Sequence, residues 1–391
     1  MKPITSNDSA GQLTFLKGSE AIAKMVALCQ PGVVAAYPIT PQTGIIEQLV
    51  KLSASGQADF SFVQAESEYS ALSIALGAAA MGVAAYTATS SQGLLYMTEV
   101  IYNLAGLRLP LVMTCANRSI SAPINIWNDH QDAMAVREAG WLMFFAEDNQ
   151  EAIEQHWLAF ALSQKLRLPV MVNVDGFRLT HASEPVALPN KQLVKKLLNN
   201  KIKAVLNTKK PQTTGWFAMP TEYQQQRLEL RRVIANSWPI IKNTNQQFNN
   251  LWQPIKTKLL GRNNHSSDPA VEYYGPAQAK LVIVAMGSII GELKDLADKA
   301  NKQKPGSVAI LKIKLYRPFP EKVIERYLNQ AEQIIVIDRS PGLGAQPPLF
   351  SDIMTIKPLN KNNISSQIIG LGGDIDLIKI NKTIKNIWAI V

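Results

Sequence analysis

Along the first 180 positions, apolar residues fall into two alternating rhythms. Short apolar or β-branched runs, in VVAAYPIT, FSFVQA, VAAYTATS, LPLVMTCA and LPVMVNVD, read as strands buried on both faces. Between them lie stretches with helical spacing: GSEAIAKMVALCQPG, GIIEQLVKLSASG, the small-residue SALSIALGAAAMG, LLYMTEVIYNLAG and EAIEQHWLAFALSQKL. The first of these stops at Pro31-Gly32, as helices do. Regular strand–helix alternation predicts a doubly wound parallel α/β sheet.

The rhythm breaks near residue 186. PVALP, KKPQTTGW, MPTEY and the Arg/Gln-rich QQQRLELRRVIANSW read as an extended linker and arm over 186–275, suited to clasping a partner rather than building a core. Alternation resumes with LVIVAMGSIIGE, a helix ELKDLADKANKQ, a strand VAILKIKLY, a helix PEKVIERYLNQ and a strand QIIVIDRS. This predicts a first α/β domain over 1–185 and a second, smaller one over 276–391, within what 391 residues and 47% hydrophobic content can support.

Charge modifies this picture only slightly. The net +10 is uneven, −5 over residues 1–150 and +15 beyond. The lysines of the basic part stand among asparagines, as in KKLLNNKIKAVLNTKK, without interleaved aromatics, which favours a solvated surface over nucleic-acid binding. The start MKPITSNDSAGQ has no apolar run and no stretch approaches a membrane span, so a soluble, cytoplasmic protein is expected, with no membrane partner. Cys29 and Cys115, each alone, form neither a disulfide framework nor a CxxC pair.

Ligands of open α/β sheets sit beyond the carboxyl ends of the strands, so the residues after each strand carry the candidate chemistry. In Tyr37-Pro38-Ile39-Thr40-Pro41-Gln42-Thr43, the prolines hold the backbone extended and present the Thr40 hydroxyl at the strand end; the alternative is a rigid turn with Thr40 as a helix cap. Glu66-Ser67-Glu68 places two carboxylates at a helix start, either as complements to the helix dipole or as a proton-exchanging group in a dry site. Thr87-Ala88-Thr89-Ser90-Ser91-Gln92-Gly93 is a hydroxyl-rich turn that can bind an anion or simply cap its helix. Arg118 follows LVMTCA, where it can receive a carboxylate or form a structural salt bridge. Asp129, His130 and Asp132 lack the spacing of a helix-borne ligand pair, so no metal is expected on this chain. Gly287 and Gly291 lack the third glycine of a dinucleotide fingerprint, and His156 and His181 have no patterned partner.

Taken together, YPITPQT, the ESE helix start, TATSSQGL, NR and NIWNDHQD follow the order and spacing of the alpha subunits of pyruvate:ferredoxin oxidoreductases, and DRSPGLGAQ resembles their matching turn. The resemblance implies a thiamine-diphosphate pyrimidine-binding-like domain followed by a transketolase C-terminal-like domain. It implies oxidative decarboxylation of pyruvate to acetyl-CoA and CO2, with electrons passed to ferredoxin or flavodoxin. Thiamine diphosphate would be shared with a beta subunit that carries the diphosphate, Mg2+ and a 4Fe–4S cluster, alongside gamma and delta-type subunits. This chain lacks a Gly-Asp-Gly magnesium motif and clustered cysteines. By the same resemblance Glu68 contacts the aminopyrimidine and favours its imino tautomer. Thr40 and Arg118 hold the substrate, and Pro38, Ile39, Ser91 and Gln92 line the cofactor. The same chemistry on branched-chain or other 2-oxoacids, and a silent assembly subunit of this fold, are the alternatives.

Overall fold

The structure, a computed structural model, describes residues 7–8, 10–198, 202–207, 209–261, 267–357 and 359–373, with residues 376, 378, 380 and 382. Its main sheet has seven strands in the spatial order Leu315–Arg317, Leu142–Phe145, Val170–Asp175, Val112–Asn117, Ala85–Thr89, Val33–Ala36 and Ser61–Gln64. Six are parallel, and only Leu315–Arg317 runs antiparallel, along Leu142–Phe145. Every residue of Val112–Asn117 and Val170–Asp175 is buried, which explains their unbroken apolar reading.

The strand order reverses between Val33–Ala36 and Ala85–Thr89. From the first the chain moves to the edge strand Ser61–Gln64; from the second it moves the other way, to Val112–Asn117. The loops leaving these neighbours diverge and open a crevice at the carboxyl ends of the strands.

The predicted elements are present, with four differences. Leu142–Phe145, Gly11–Lys17, Val271–Tyr274 and Ile364–Ile368 are strands that the sequence reading missed. The helix expected through LLYMTEVIYNLAG is two, Ser91–Tyr96 and Thr98–Gly106, broken at Met97. The run VAILKIKLY is also two strands: Val308–Ile313 lies in the second sheet, and Leu315–Arg317 crosses into the first. The last difference is a correction to the expected arm. Its helix Trp238–Leu260 buries Ile241, Phe248 and Trp252, and Phe248 and Trp252 meet Trp157 edge-on at 5.1 and 6.1 Å between centroids. This helix therefore builds core, because its large apolar residues recur at helical spacing within a polar background. PVALP likewise lies in a strand, Ser183–Pro189, paired antiparallel with Gly11–Lys17.

The second sheet is ordered Val271–Tyr274, Val308–Ile313, Leu281–Ala285, Gln333–Asp338, Ile364–Ile368, parallel except for its first strand. It docks on the first domain through buried charge. Arg339 Nη1 lies 2.6 Å from Asp175 Oδ2, and His130 Nε2 lies 3.0 Å from Asp175 Oδ1. The Ser288 amide and hydroxyl also donate to Asp175. Lys312 meets Glu147, Glu151 and Glu272 at 2.6, 2.9 and 3.3 Å. Burial alone would raise the Asp175 carboxyl; Arg339, then His130 and Ser288, hold it well below the usual carboxylate range. Among the described residues no helix is long and apolar enough to cross a membrane.

Because Arg339 is 2% exposed, Arg339→Met strips a buried carboxylate of its main counter-charge and is expected to cost roughly 3–5 kcal/mol, read as a shift in the urea unfolding midpoint. The Asp175 contribution belongs to its ionised form. It is therefore present at neutral pH and should fade as pH falls below the unfolded value of about 4. A midpoint unchanged by the substitution would contradict this assignment.

Candidate functional site

Four loops meet at the crevice. Glu68 opens the helix Glu68–Ala80, whose N-cap Ser67 accepts a hydrogen bond from the Ser70 amide at 3.1 Å. The two glutamates that residue type alone could not separate have different surroundings. Glu66 is exposed and takes a hydrogen bond from the Ser70 hydroxyl, whereas Glu68 is 9% exposed. No hydrogen bond or salt bridge reaches the Glu68 carboxylate among the described residues, although its charge acts on Arg118. Gly93 comes close to it: a Cβ there would lie 2.7 Å from Glu68 Oε1 and 2.5 Å from Thr89 Oγ1.

Arg118, at the end of Val112–Asn117, reaches across the crevice. Its Nη1 donates to the Thr40 carbonyl at 2.7 Å and its Nη2 to Gln92 Oε1 at 2.8 Å. One guanidinium thus joins the turn after Val33–Ala36 to the turn after Ala85–Thr89. Burial lowers its pKa, while the charges of Asp132 and Glu68 raise it. Thr40 does not cap a helix; the following helix begins at Thr43 behind Gln42, which gives no side-chain cap. Thr40 and Pro38 are exposed, Ile39 is half-buried, and Gln42 Nε2 anchors this turn to the Ala88 carbonyl at 2.7 Å. Pro41 packs on Gly176, where a Cβ would lie 2.5 Å from Pro41 Cγ.

Ser91 holds a left-handed backbone, φ +46°, which is costly for a residue with a Cβ. Its hydroxyl donates to the Ser119 carbonyl at 2.5 Å, and Gln92 Nε2 donates to Ser121. Beneath both turns lies Asp132, a residue that sequence reasoning weighed only as part of a metal candidate. It is fully buried and accepts from the Ser91 and Arg118 amides at 3.0 and 3.1 Å and from Asn117 Nδ2 at 2.9 Å. Burial raises its pKa, and these donors oppose the rise. The Cys115 thiol beside it is pushed up by burial and then by the charge of Asp132.

The remaining sequence candidates disperse. Asp129 binds Ser119 and Gln131, whereas His130 turns to Asp175, so they and Asp132 face three different partners. Among the described residues no group of three His, Cys, Asp or Glu side chains could hold a metal. His156 is a core residue, 2.6 Å from Thr114 Oγ1, with burial lowering its pKa to about 4. Gly287 forms a tight turn at φ +79°, where a Cβ would lie 2.9 Å from the His130 ring.

The crevice suits a flat, polar-edged ring. Thr89 Oγ1, Ser90 Oγ and Arg118 Nε are buried without partners, Glu68 offers an unpaired carboxylate, and the bare Cα of Gly93 lets Glu68 and Thr89 pack against that turn. A parallel sheet with such a crevice at its switch point defines a ligand-binding α/β protein of the doubly wound class. Residues 24–245 match the family described as pyruvate flavodoxin/ferredoxin oxidoreductase, thiamine diphosphate-binding, and residues 279–380 match pyruvate:ferredoxin oxidoreductase core domain II. The chain belongs to the pyruvate flavodoxin/ferredoxin oxidoreductase family.

It is 38% identical to pyruvate synthase subunit PorA of Methanocaldococcus jannaschii over 380 residues, covering 96% of this chain and 94% of that one. It is 37% identical to the PorA subunit of Thermotoga maritima, covering 91% of this chain and 89% of that one. Ketoisovalerate oxidoreductase subunit VorA of Pyrococcus abyssi is 32% identical, with 92% and 89% covered. The fold is shared with 2-oxoglutarate:ferredoxin oxidoreductase from Magnetococcus marinus, at a TM-score of 0.73 and 17% identity, over 96% of this chain. The present chain spans 65% of that longer one.

Gly93→Ala is expected to destabilise the chain by about 1–3 kcal/mol, since its Cβ must displace Thr89 or Glu68. Gly77→Ala, in the same helix as Glu68 but with nothing within 4 Å of its Cβ, should instead gain about 0.5–1 kcal/mol. Chemical denaturation of the two variants side by side checks the sign of each.

Proposed function

We propose that this chain is the alpha subunit of a heteromeric 2-oxoacid:ferredoxin oxidoreductase that decarboxylates pyruvate oxidatively to acetyl-CoA and CO2, delivering electrons to ferredoxin or flavodoxin. The observation that carries the reading is the convergence of Thr40, Gln92 and Arg118 by direct hydrogen bonds, with Glu68 buried beside them, at the switch point of the sheet. Thiamine diphosphate, when bound, supplies a nucleophilic carbon and an electron sink for the 2-oxoacid.

The residues of this chain prepare that chemistry. Glu68, buried and without a partner of its own, would face the edge of the aminopyrimidine and serve there as the group that exchanges a proton with it. Pro38, Ile39, Ser91 and Gln92 would line the ring, and the missing Cβ at Gly93 allows the Glu68 side chain to pack against that turn. Arg118, with the Thr40 turn, receives the carboxylate and keto group of the substrate. Decarboxylation discharges that carboxylate, so a guanidinium holding the anion favours the ground state and serves orientation rather than CO2 loss.

Pyruvate is preferred as substrate because the pyruvate synthase relatives are 36–38% identical and the ketoisovalerate relative 32%. Two cysteines in the whole sequence are too few to supply the four thiolates of an iron–sulfur cluster. The 4Fe–4S cluster, Mg2+ and the diphosphate site are therefore assigned to a beta subunit, accompanied by gamma and delta-type subunits. The proposed functional division is 1–185 and 276–391; within the intervening 186–275 the helix Trp238–Leu260 packs on the first domain, and the stretch before it is proposed to reach a partner. Its exposed Trp216, Phe217, Met219 and Tyr223 support that role, with Phe217 92% exposed while Leu230 ties the same arm to its own chain.

The chain alone should be inactive, and the assembled enzyme should reduce a low-potential acceptor when given pyruvate, coenzyme A and thiamine diphosphate. Glu68→Ala in the complex is expected to lower kcat about 100-fold or more; an unchanged rate would refute its role. Turnover of a branched 2-oxoacid with pyruvate inert would overturn the substrate assignment alone. Phe217→Asp should abolish co-purification of the partner subunits with no loss of stability, since that side chain is in solvent in the isolated chain.

A further inference from the structure

Asp132 is a carboxylate with no exposed surface, and it forms no salt bridge among the described residues. Its hydrogen bonds are unusual in where they go. Oδ2 accepts the amide of Ser91 at 3.0 Å and the amide of Arg118 at 3.1 Å, while Oδ1 accepts Asn117 Nδ2 at 2.9 Å and the Ala133 amide at 2.7 Å. One oxygen therefore pins the backbone of two loops that leave different strands.

Those loops hold the two ends of a single hydrogen bond. Arg118 Nη2 donates to Gln92 Oε1 at 2.8 Å, and Gln92 is the residue after Ser91. The left-handed φ of +46° at Ser91 aims Gln92 into the crevice, and such a backbone persists in a non-glycine residue only where its surroundings impose it. The amide bond to Asp132 and the hydroxyl bond to the Ser119 carbonyl impose it here. Asn117 repeats the arrangement one residue before Arg118: its amide bridges Asp132 Oδ1 and Asn173 Oδ1, the latter at 3.2 Å.

We propose that Asp132 is a positioning residue for 2-oxoacid binding, which fixes the Ser91 turn and the Arg118 backbone so that Gln92 and Arg118 stand preorganised for the substrate carboxylate. This rests on the reading of Arg118 as the group that receives that carboxylate. Asp132 itself touches neither substrate nor cofactor; it lies below the loops and acts through them.

The test is a double-mutant cycle in the assembled enzyme, with pyruvate as the varied substrate. Asp132→Asn keeps the shape but sets its NH2 group against two of the four N–H donors that the carboxylate accepts. It should raise KM about tenfold while kcat changes less than about threefold. In an Arg118→Ala background the same substitution should change KM by less than about twofold, because the group through which it acts is gone. Adding Ser91→Gly to Asp132→Asn, so that the left-handed position no longer needs holding, should recover part of the lost affinity. An equal KM increase in both backgrounds, a loss confined to kcat, or no recovery with glycine would overturn the proposal. Arg118→Ala leaving KM unchanged would instead refute the role of Arg118, which separates the two failures. Asp132→Ser, which keeps an acceptor, runs the same cycle with the same outcomes if the asparagine variant does not assemble.

Discussion

The ion pair of Asp175 with Arg339 is the interaction on which the arrangement depends. Taking two charges out of water costs several kcal/mol for each, and only a complete set of partners offsets it. Asp175 has that set, from Arg339, His130 and Ser288. Arg339 also passes the constraint on. Its carbonyl accepts the His130 amide at 2.8 Å and its Nη2 donates to the Asn128 carbonyl at 3.0 Å. The second domain thereby grips the loop that ends at Asp132, and Asp132 in turn holds Ser91 and Arg118. Residues 211 positions apart in sequence, Asn128 and Arg339, support one crevice.

The site divides its electrostatics between two levels. Within the walls of the crevice stand buried groups with spare capacity: the Glu68 carboxylate, Arg118 Nε, Thr89 Oγ1 and Ser90 Oγ. Below them stands Asp132, both of whose oxygens are occupied by backbone amides and the Asn117 side-chain amide. Saturated groups make a rigid floor, and unsaturated ones remain free for a ligand. Thr40 and Pro38, at the mouth of the crevice, lie open to solvent.

The parallel strands were legible because strands buried on both faces write themselves as unbroken apolar runs, as VMTCAN and VMVNVD do. Leu142–Phe145 escaped because it is short and follows a loop without periodicity. The core role of Trp238–Leu260 was hidden by its polar composition, from which only spaced aromatics reach inward. At the site, motif order singled out Thr40, Glu68 and Arg118, and the structure brings them to one crevice. Residue type alone could not separate Glu66 from Glu68; the resemblance chose Glu68, and in the structure the two differ in burial. Nor could residue type find Asp132, whose significance lies in amides 41 and 14 residues away.

The crossing of residues 308–317 from one sheet to the other bears on how this chain can be cut or recombined. Leu315–Arg317 covers the outer edge of Leu142–Phe145, a strand whose four residues are all buried. A fragment ending near residue 275 would keep every loop of the crevice yet leave that edge as a bare row of amides and carbonyls, a template for pairing with other chains. Genetic fission or domain exchange at the apparent boundary is thus disfavoured by aggregation as well as by the loss of Arg339 from beneath the crevice. Any natural split or fusion that preserves the first sheet has to keep this short strand in place, or supply another to cover it.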